Sequence, residues 1–312
     1  MLKRLFVTTS LACAAWAGTA VAQEAVPSFK ASVELVPISA MVRDARGRAI
    51  TALQAADFEV RDNGVPRPII DFEADDQTPV TIAILLDTSG SMRLGSKLAA
   101  AREVVRRFAA DLRDGRDAVG LFTFDGGLHE LQPFTHHPAA VSESFTDAAP
   151  FGITSLYDAV AATARRLEAQ PAGRRAIVVV TDGVDTGSTL TPPEVSARAS
   201  AIDAPVYIVA TGSKAEQAGY VDRAAAPNSR STSDARDLAM WTGGDLLWAA
   251  GVEDAAARAR QILGELRQQY LIAIEPASAE NWRPLEVRVR NRPHLVVRTR
   301  SGYFGRDSHS QR

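Results

Sequence analysis

An aspartate and two spaced serines, Asp87-Thr88-Ser89-Gly90-Ser91, stand directly after the apolar run Val80-Thr81-Ile82-Ala83-Ile84-Leu85-Leu86. One carboxylate and two serine hydroxyls on a single turn suit a small hard cation that takes oxygen ligands and keeps part of its water. Two later segments carry the same kinds of donor, Gly152-Ile153-Thr154-Ser155-Leu156-Tyr157-Asp158 and Thr181-Asp182-Gly183-Val184-Asp185. Taken together, Asp87, Ser89, Ser91, Thr154 and Asp182 offer two carboxylates and three hydroxyls. Two negative charges against a divalent ion leave a nearly neutral centre with an open coordination position, which the carboxylate of a partner can fill.

Each segment alone has a plainer reading. Asp87 to Ser91 is also an ordinary polar turn, Ser155 to Asp158 matches a helix capping box, and Asp182-Gly183 is a turn signal. Their joint occurrence, each beside a buried strand or at a helix start, favours the metal. Asp185 competes with Asp182 for the second carboxylate; Asp182 lies nearer the strand end, so Asp185 is expected to shape the loop.

This set resembles the metal-ion-dependent adhesion site of von Willebrand factor type A domains, in which Asp-x-Ser-x-Ser is followed by a distant Thr and a distant Asp. All five positions are filled in family order. The resemblance spans roughly residues 80 to 270. Flanking segments are similar to those of exported bacterial proteins with VWFA-related domains, notably Asp57-Phe58-Glu59-Val60, Asp62-Asn63-Gly64, Gln269-Tyr270, Trp282-Arg283 and Gly302-Tyr303. The resemblance implies Mg²⁺, with Mn²⁺ or Ca²⁺ as alternatives. It also implies that Asp182 binds directly or through water, and that a protein partner supplies an Asp or Glu carboxylate.

Other chemistries are poorly served. Gly90 to Lys97 is like a phosphate-binding loop, but Ser96 separates Gly95 from Lys97 and breaks the Gly-Lys-Ser/Thr ending. An aspartyl-phosphate phosphatase would want a second acid where Ser89 stands. There is no Gly-x-Ser-x-Gly elbow and no His-Glu-x-x-His helix. His136-His137, with His129 nearby, lacks a third ligand at metal-binding spacing and reads as solvated loop. The expectation is a non-enzymatic binding module with no catalytic residue. The alternatives are a metal-dependent hydrolase or enzyme-assembly component, and a structural envelope protein whose metal only rigidifies the fold.

The elements that must position these residues alternate. Val80 to Leu86 and Ala176-Ile177-Val178-Val179-Val180 read as parallel strands covered on both faces, so the donors fall at their carboxyl ends, where open α/β sheets bind ligands. Between them, Leu98, Ala101, Val105, Phe108 and Leu112 mark one helical face, and Leu156, Val160, Ala164 and Leu167 another. Strand Ala118 to Phe124 leads into an edge hairpin at Gly126-Gly127. Pro193 to Ile202, Val206 to Val209, Leu238 to Trp241, Leu246 to Trp248 and Val252 to Tyr270 continue the alternation. The fold class is therefore α/β, a doubly wound and mostly parallel sheet over residues 80–272.

Two flanks read as β-rich, residues 28–76 and 273–305. Asp62-Asn63-Gly64 is a hairpin signal, and Leu285, Val287 and Val289 alternate with charged residues. Residues 281–312 carry eight arginines against Glu286 and Asp307, whereas residues 28–76 carry nine acids against six bases. That opposition suggests that the flanks pair with each other in a small β module. Thr211 to Ser233 lacks a clear period and reads as a mobile surface loop or lid containing at most a short helical piece.

Residues 1–22 read as a signal peptide: Lys3 and Arg4, an apolar stretch from Leu5 to about Ala17, and Ala20-Val21-Ala22 before Gln23. The stretch is too short to span a bilayer, so the expected product is exported, periplasmic or secreted, without a membrane span. Cys13 is the only cysteine and lies in that segment, so no thiol site or disulfide is available afterwards. Losing Lys3 and Arg4 takes the formal charge from −2 to −4. This near-neutral balance argues against a nucleic-acid or anionic-membrane partner.

Overall fold

A computed structural model describes residues 35–74, 76–144, 152–171, 173–182, 185–225, 230–277 and 282–304. All of these belong to one compact unit, Glu34–Arg312. The expected signal peptide lies outside the described residues. Among those described, no helix is long and apolar enough to cross a membrane.

In chain order the strands and helices are β1 (Val36–Arg43), β2 (Phe58–Asp62), β3 (Val65–Arg67), β4 (Ile69–Glu73), β5 (Val80–Asp87), α1 (Lys97–Asp111), β6 (Ala118–Phe124), β7 (Leu128–Thr135), α2 (Ala139–Glu143) and α3 (Leu156–Glu168). They continue with β8 (Arg174–Thr181), α4 (Pro192–Ala201), β9 (Val206–Thr211), α5 (Lys214–Ala225), α6 (Arg230–Trp241), β10 (Leu246–Ala249), α7 (Val252–Arg267), β11 (Tyr270–Ile274), β12 (Trp282–Val289), β13 (Val296–Arg298) and β14 (Gly302–Phe304).

The central sheet has the order β10-β9-β8-β5-β6-β7. Every pairing in it is parallel except β6 with β7, the hairpin expected at Gly126-Gly127. Alternation along β5 explains why helices cover both faces. Ile82, Ile84 and Leu86 enter the core shared with Val104, Phe108 and Ile262 of α1 and α7, while Ala83 and Leu85 enter the core shared with Leu156, Val160 and Leu238 of α3 and α6. Such two-sided burial permits the unbroken apolar runs seen in β5 and β8. From β5 the chain moves outward to β6 and β7, then returns to place β8 on the other side of β5. The sheet therefore has a topological switch point between the carboxyl ends of β5 and β8, the place where doubly wound sheets open a crevice.

Strands from both flanks pair with each other. The sheet β14-β12-β2-β3 joins Leu285 to Val289 with Phe58 to Asp62, and the sheet β13-β1-β11-β4 joins Val36 to Ala40 with Tyr270 to Ile274. The two sheets share a core of Ile38, Phe58, Val60, Tyr270, Ile272 and Val287. The charge opposition is realised where Arg283 reaches buried Asp62 at 2.6 Å, with the Tyr303 hydroxyl donating to the same carboxylate at 3.0 Å. Buried ions also tie these sheets to the α/β layer. Ser39 donates to Asp203 at 2.7 Å, Arg300 caps the carbonyls of Ser200 and Pro37, and Arg43 and Arg298 both grip Glu265.

Two expectations are corrected. The division at residue 272 falls inside β11, which pairs with β1 and β4 rather than with the central sheet. The Thr211 to Ser233 stretch is not a loop: α5 and the start of α6 occupy most of it. Ser213 and Glu216 explain the first helix start, since Glu216 Oε2 accepts the Ser213 amide at 2.6 Å and Ser213 Oγ accepts the Glu216 amide at 3.2 Å. That reciprocal pair is a capping box and starts a helix without any apolar period.

Candidate metal centre

Asp87 is the last residue of β5 and is fully buried. Its Oδ1 accepts the Ser89 amide at 2.8 Å, which turns the chain sharply off the strand. Its Oδ2 accepts the hydroxyl of Thr181, the last residue of β8, at 2.6 Å across the switch point. Burial pushes the Asp87 carboxyl above its usual range; the Thr181 and Ser89 bonds pull it back in part, and the charge of Asp182 adds to the rise.

After Asp87 the chain makes a short 3₁₀ turn, Gly90–Arg93. Met92 in that turn is fully buried in the α1 and α7 core and anchors the loop from below. The anchored turn brings the Ser89 and Ser91 hydroxyls to 3.1 Å from each other. Ser89 is buried as well, so this hydroxyl pair sits beside a buried carboxylate rather than free in solvent.

Thr154 reaches the same edge on the segment before α3. The Gly90 amide donates to the Gly152 carbonyl at 3.4 Å, joining the first loop to this segment. The Thr154 amide donates to Thr186 Oγ1 at 3.0 Å, and its carbonyl accepts the amides of Thr186 and Gly187 at 2.9 and 3.0 Å. The loop after β8 thus clamps Thr154 from the other side. Asp182 follows Thr181 directly, and its Oδ2 lies 3.2 Å from Nζ of Lys97, the first residue of α1.

Asp185 has a different occupation. It accepts the Leu156 amide at 2.8 Å and the Ser188 hydroxyl at 2.6 Å. Ser188 Oγ in turn accepts the amides of Tyr157 and Asp158. These contacts replace the capping box expected at Ser155 to Asp158: the Ser155 side chain makes no cap bond, and Asp158 turns away to accept the Thr189 and Leu190 amides. The first turn of α3 is therefore capped by the loop that follows β8, which couples the Thr154 and Asp182 segments.

The donor set suits a hard divalent cation: a buried carboxylate, two converging hydroxyls and a second carboxylate that already binds an ammonium group. The Lys97 ammonium is in effect a stand-in cation at this edge. Among the described residues there is no group of three His, Cys, Asp or Glu side chains placed for a metal, so hydroxyl oxygens would have to complete any shell here. The histidine pair stays outside: His136 Nδ1 lies 3.2 Å from the Asp117 carbonyl, and exposed His137 lies 3.1 Å from Asp114.

Three contributors were not found by spacing alone. Thr181 stands at the head of the Asp182 segment with no role of its own, Lys97 only at the end of a failed phosphate loop, and Glu216 in the stretch read as a loop. Glu216 Oε1 lies 3.1 Å from Lys97 Nζ, and Ser213-x-x-Glu216 was the signal that could have located it. The Ser213 amide and hydroxyl, together with Lys97, depress the Glu216 carboxyl to about 2. For Lys97, burial favours the neutral amine, but Glu216 and Asp182 outweigh it and the ammonium is held above its ordinary range.

The family model for the von Willebrand factor type A domain matches residues 82–184. The von Willebrand factor type A structure from Catenulispora acidiphila aligns at a TM-score of 0.50 and 12% identity, covering 80% of this chain and 74% of that one. The conserved hypothetical protein BatB from Bacteroides thetaiotaomicron aligns at 0.48 and 19%, covering 60% of this chain and 98% of that one. The pilus adhesin SpaC from Lactobacillus rhamnosus GG aligns at 0.47 and 13%, covering 68% and 34%. No curated protein sequence matches the chain. Residues 82–184 are similar to the von Willebrand factor type A domain, and antiparallel sheets from the two flanks are added to the α/β layer that holds them.

Proposed function

We propose that the chain is an exported, non-enzymatic binding module that holds a divalent cation, Mg²⁺ in the first instance, at Asp87, Ser89, Ser91, Thr154 and Asp182. An Asp or Glu side chain of a protein partner completes the coordination. The observation that carries this reading is the junction at the switch point, where the Thr181 hydroxyl fixes Asp87 while the hydroxyls of Ser89 and Ser91 converge beside it. The chain's own residues supply placement and charge balance. Two carboxylates offset a divalent ion, hydroxyls add lone pairs without further charge, and the buried loop anchors keep the donors in place.

The surroundings of the two serine hydroxyls support the non-enzymatic reading. The Ser89 and Ser91 hydroxyls face each other, and the Ser89 amide donates to Asp87. Metal-dependent capture from native envelope material tests the function. Wild-type protein should retain a partner in Mg²⁺ and release it on chelation, and Asp87→Ala should retain none. Capture that survives both chelation and Asp87→Ala would refute the mechanism.

A further inference from the structure

Lys97 is buried, and its ammonium lies between two carboxylates of different kinds. Asp182, at 3.2 Å, belongs to the proposed metal set. Glu216, at 3.1 Å, belongs to the first turn of α5 and is half exposed. The Glu216 carboxylate is held in place from the far side, because Ser213 donates its amide to Oε2 and accepts the Glu216 amide at Oγ. Gly212 allows this fit: a Cβ there would come within 2.9 Å of the Trp248 ring and 3.1 Å of Glu216 Oε2. Glu216 is thus a fixed acceptor for the ammonium and is independent of the loops that carry Asp87, Ser89, Ser91 and Thr154.

A divalent cation and an ammonium group cannot both lean on one carboxylate without strong repulsion at such short range. We infer that Lys97 is a built-in competitor for the cation at Asp182, and that Glu216 is a positioning residue that sets metal affinity by giving the ammonium an alternative partner. When the ion engages Asp182, Lys97 keeps its second contact to Glu216 and its charge stays compensated. The inference rests on the proposed cation site, and it makes the α5 start part of the binding machinery although α5 contributes no ligand. By linkage, whatever shifts Lys97 toward Glu216 favours the metal, and the metal favours that shift equally.

A double-mutant cycle read by Mg²⁺ titration calorimetry on the full exported chain tests this. Lys97→Met keeps the buried stem and removes the charge, so Mg²⁺ binding should tighten by about tenfold or more. Glu216→Gln, at a half-exposed position that leaves the fold intact, should weaken binding by roughly threefold to tenfold. In the Lys97→Met background, Glu216→Gln should have almost no effect, because Glu216 acts through the ammonium. Unchanged or weaker Mg²⁺ binding by folded Lys97→Met would overturn the inference. So would a Glu216→Gln effect that persists undiminished without Lys97, since Glu216 would then act on the ion directly. If Lys97→Met does not fold, unchanged affinity in Glu216→Gln alone overturns it. Wild-type protein that binds neither Mg²⁺ nor Mn²⁺ removes the cation site and this inference together, whereas wild-type binding with flat variants removes the inference alone.

Discussion

Thr181→Val isolates the bond that holds Asp87. The Thr181 hydroxyl donates to Asp87 Oδ2 at 2.6 Å, and both side chains are fully buried. Valine keeps the shape, so the change removes a hydrogen bond without opening a cavity. A bond to an ionised acceptor contributes about 1.5–3 kcal/mol. Because valine buries no hydroxyl, roughly 1 kcal/mol of that is recovered. The expected net loss is thus about 0.5–2 kcal/mol at neutral pH, and each kcal/mol lowers Tm by about 2–4 °C in a chain of this size. The pH dependence carries the mechanism. Asp87 titrates above its ordinary range in the folded protein, so its contribution to stability is fully present below the unfolded pKa and is lost as pH rises through the folded pKa. Thr181 limits that loss by donating to the charged form, and removing it raises the folded pKa further. The stability gap between wild type and variant should therefore be small in mild acid and widen toward neutral pH. Urea unfolding in chelator at a series of pH values measures it. A gap of constant size across that range, or none, would refute the assigned role of Thr181.

Three further outcomes are expected. Asp87→Ala should stay folded yet bind no Mg²⁺, and its melting temperature in chelator should be no lower than that of wild type, because a buried charge and its repulsion with Asp182 are removed; thermal melts with and without Mg²⁺ check this. Arg283→Met should destabilise the flank sheets by about 1.5–3 kcal/mol, since it removes the 2.6 Å charged bond to the fully buried Asp62 and leaves it, among the described residues, with Arg67 at 3.3 Å and the Tyr303 hydroxyl; denaturant unfolding reads the loss, and Asp62→Asn in the same background should recover part of it. N-terminal sequencing of exported material should begin at Gln23, and retention of Leu5 to Ala17 in a membrane fraction would contradict the export reading.

Much of the fold was legible because its signals are local. The apolar runs of β5 and β8 and the helical faces of α1 and α3 each declare themselves within a few turns, and the donor spacing at Asp87 to Ser91 lies on one loop. What stayed hidden depends on contacts between distant segments. Nothing between Arg267 and Tyr270 punctuates the chain with Gly or Pro, so the passage from α7 to a strand of a different sheet left no mark. The capping box at Ser155 has the right residues, but the 185–190 loop outcompetes it for the first turn of α3. In α5 the helix signal was present as Ser213-x-x-Glu216; weak apolar periodicity masked it, and with it the acid that faces Lys97. Thr181 could not be assigned because only the pairing of β5 with β8 shows that it faces Asp87.

The central claim is that these five residues hold a cation, and anomalous diffraction from crystals of the protein grown with Mn²⁺ tests it most directly. The account predicts one strong peak at the carboxyl ends of β5 and β8, within bonding distance of the Ser89 and Ser91 hydroxyls and lost in Asp87→Ala. Wild-type crystals with no peak at that edge, or with Mn²⁺ bound elsewhere while Lys97 stays on Asp182, would contradict it.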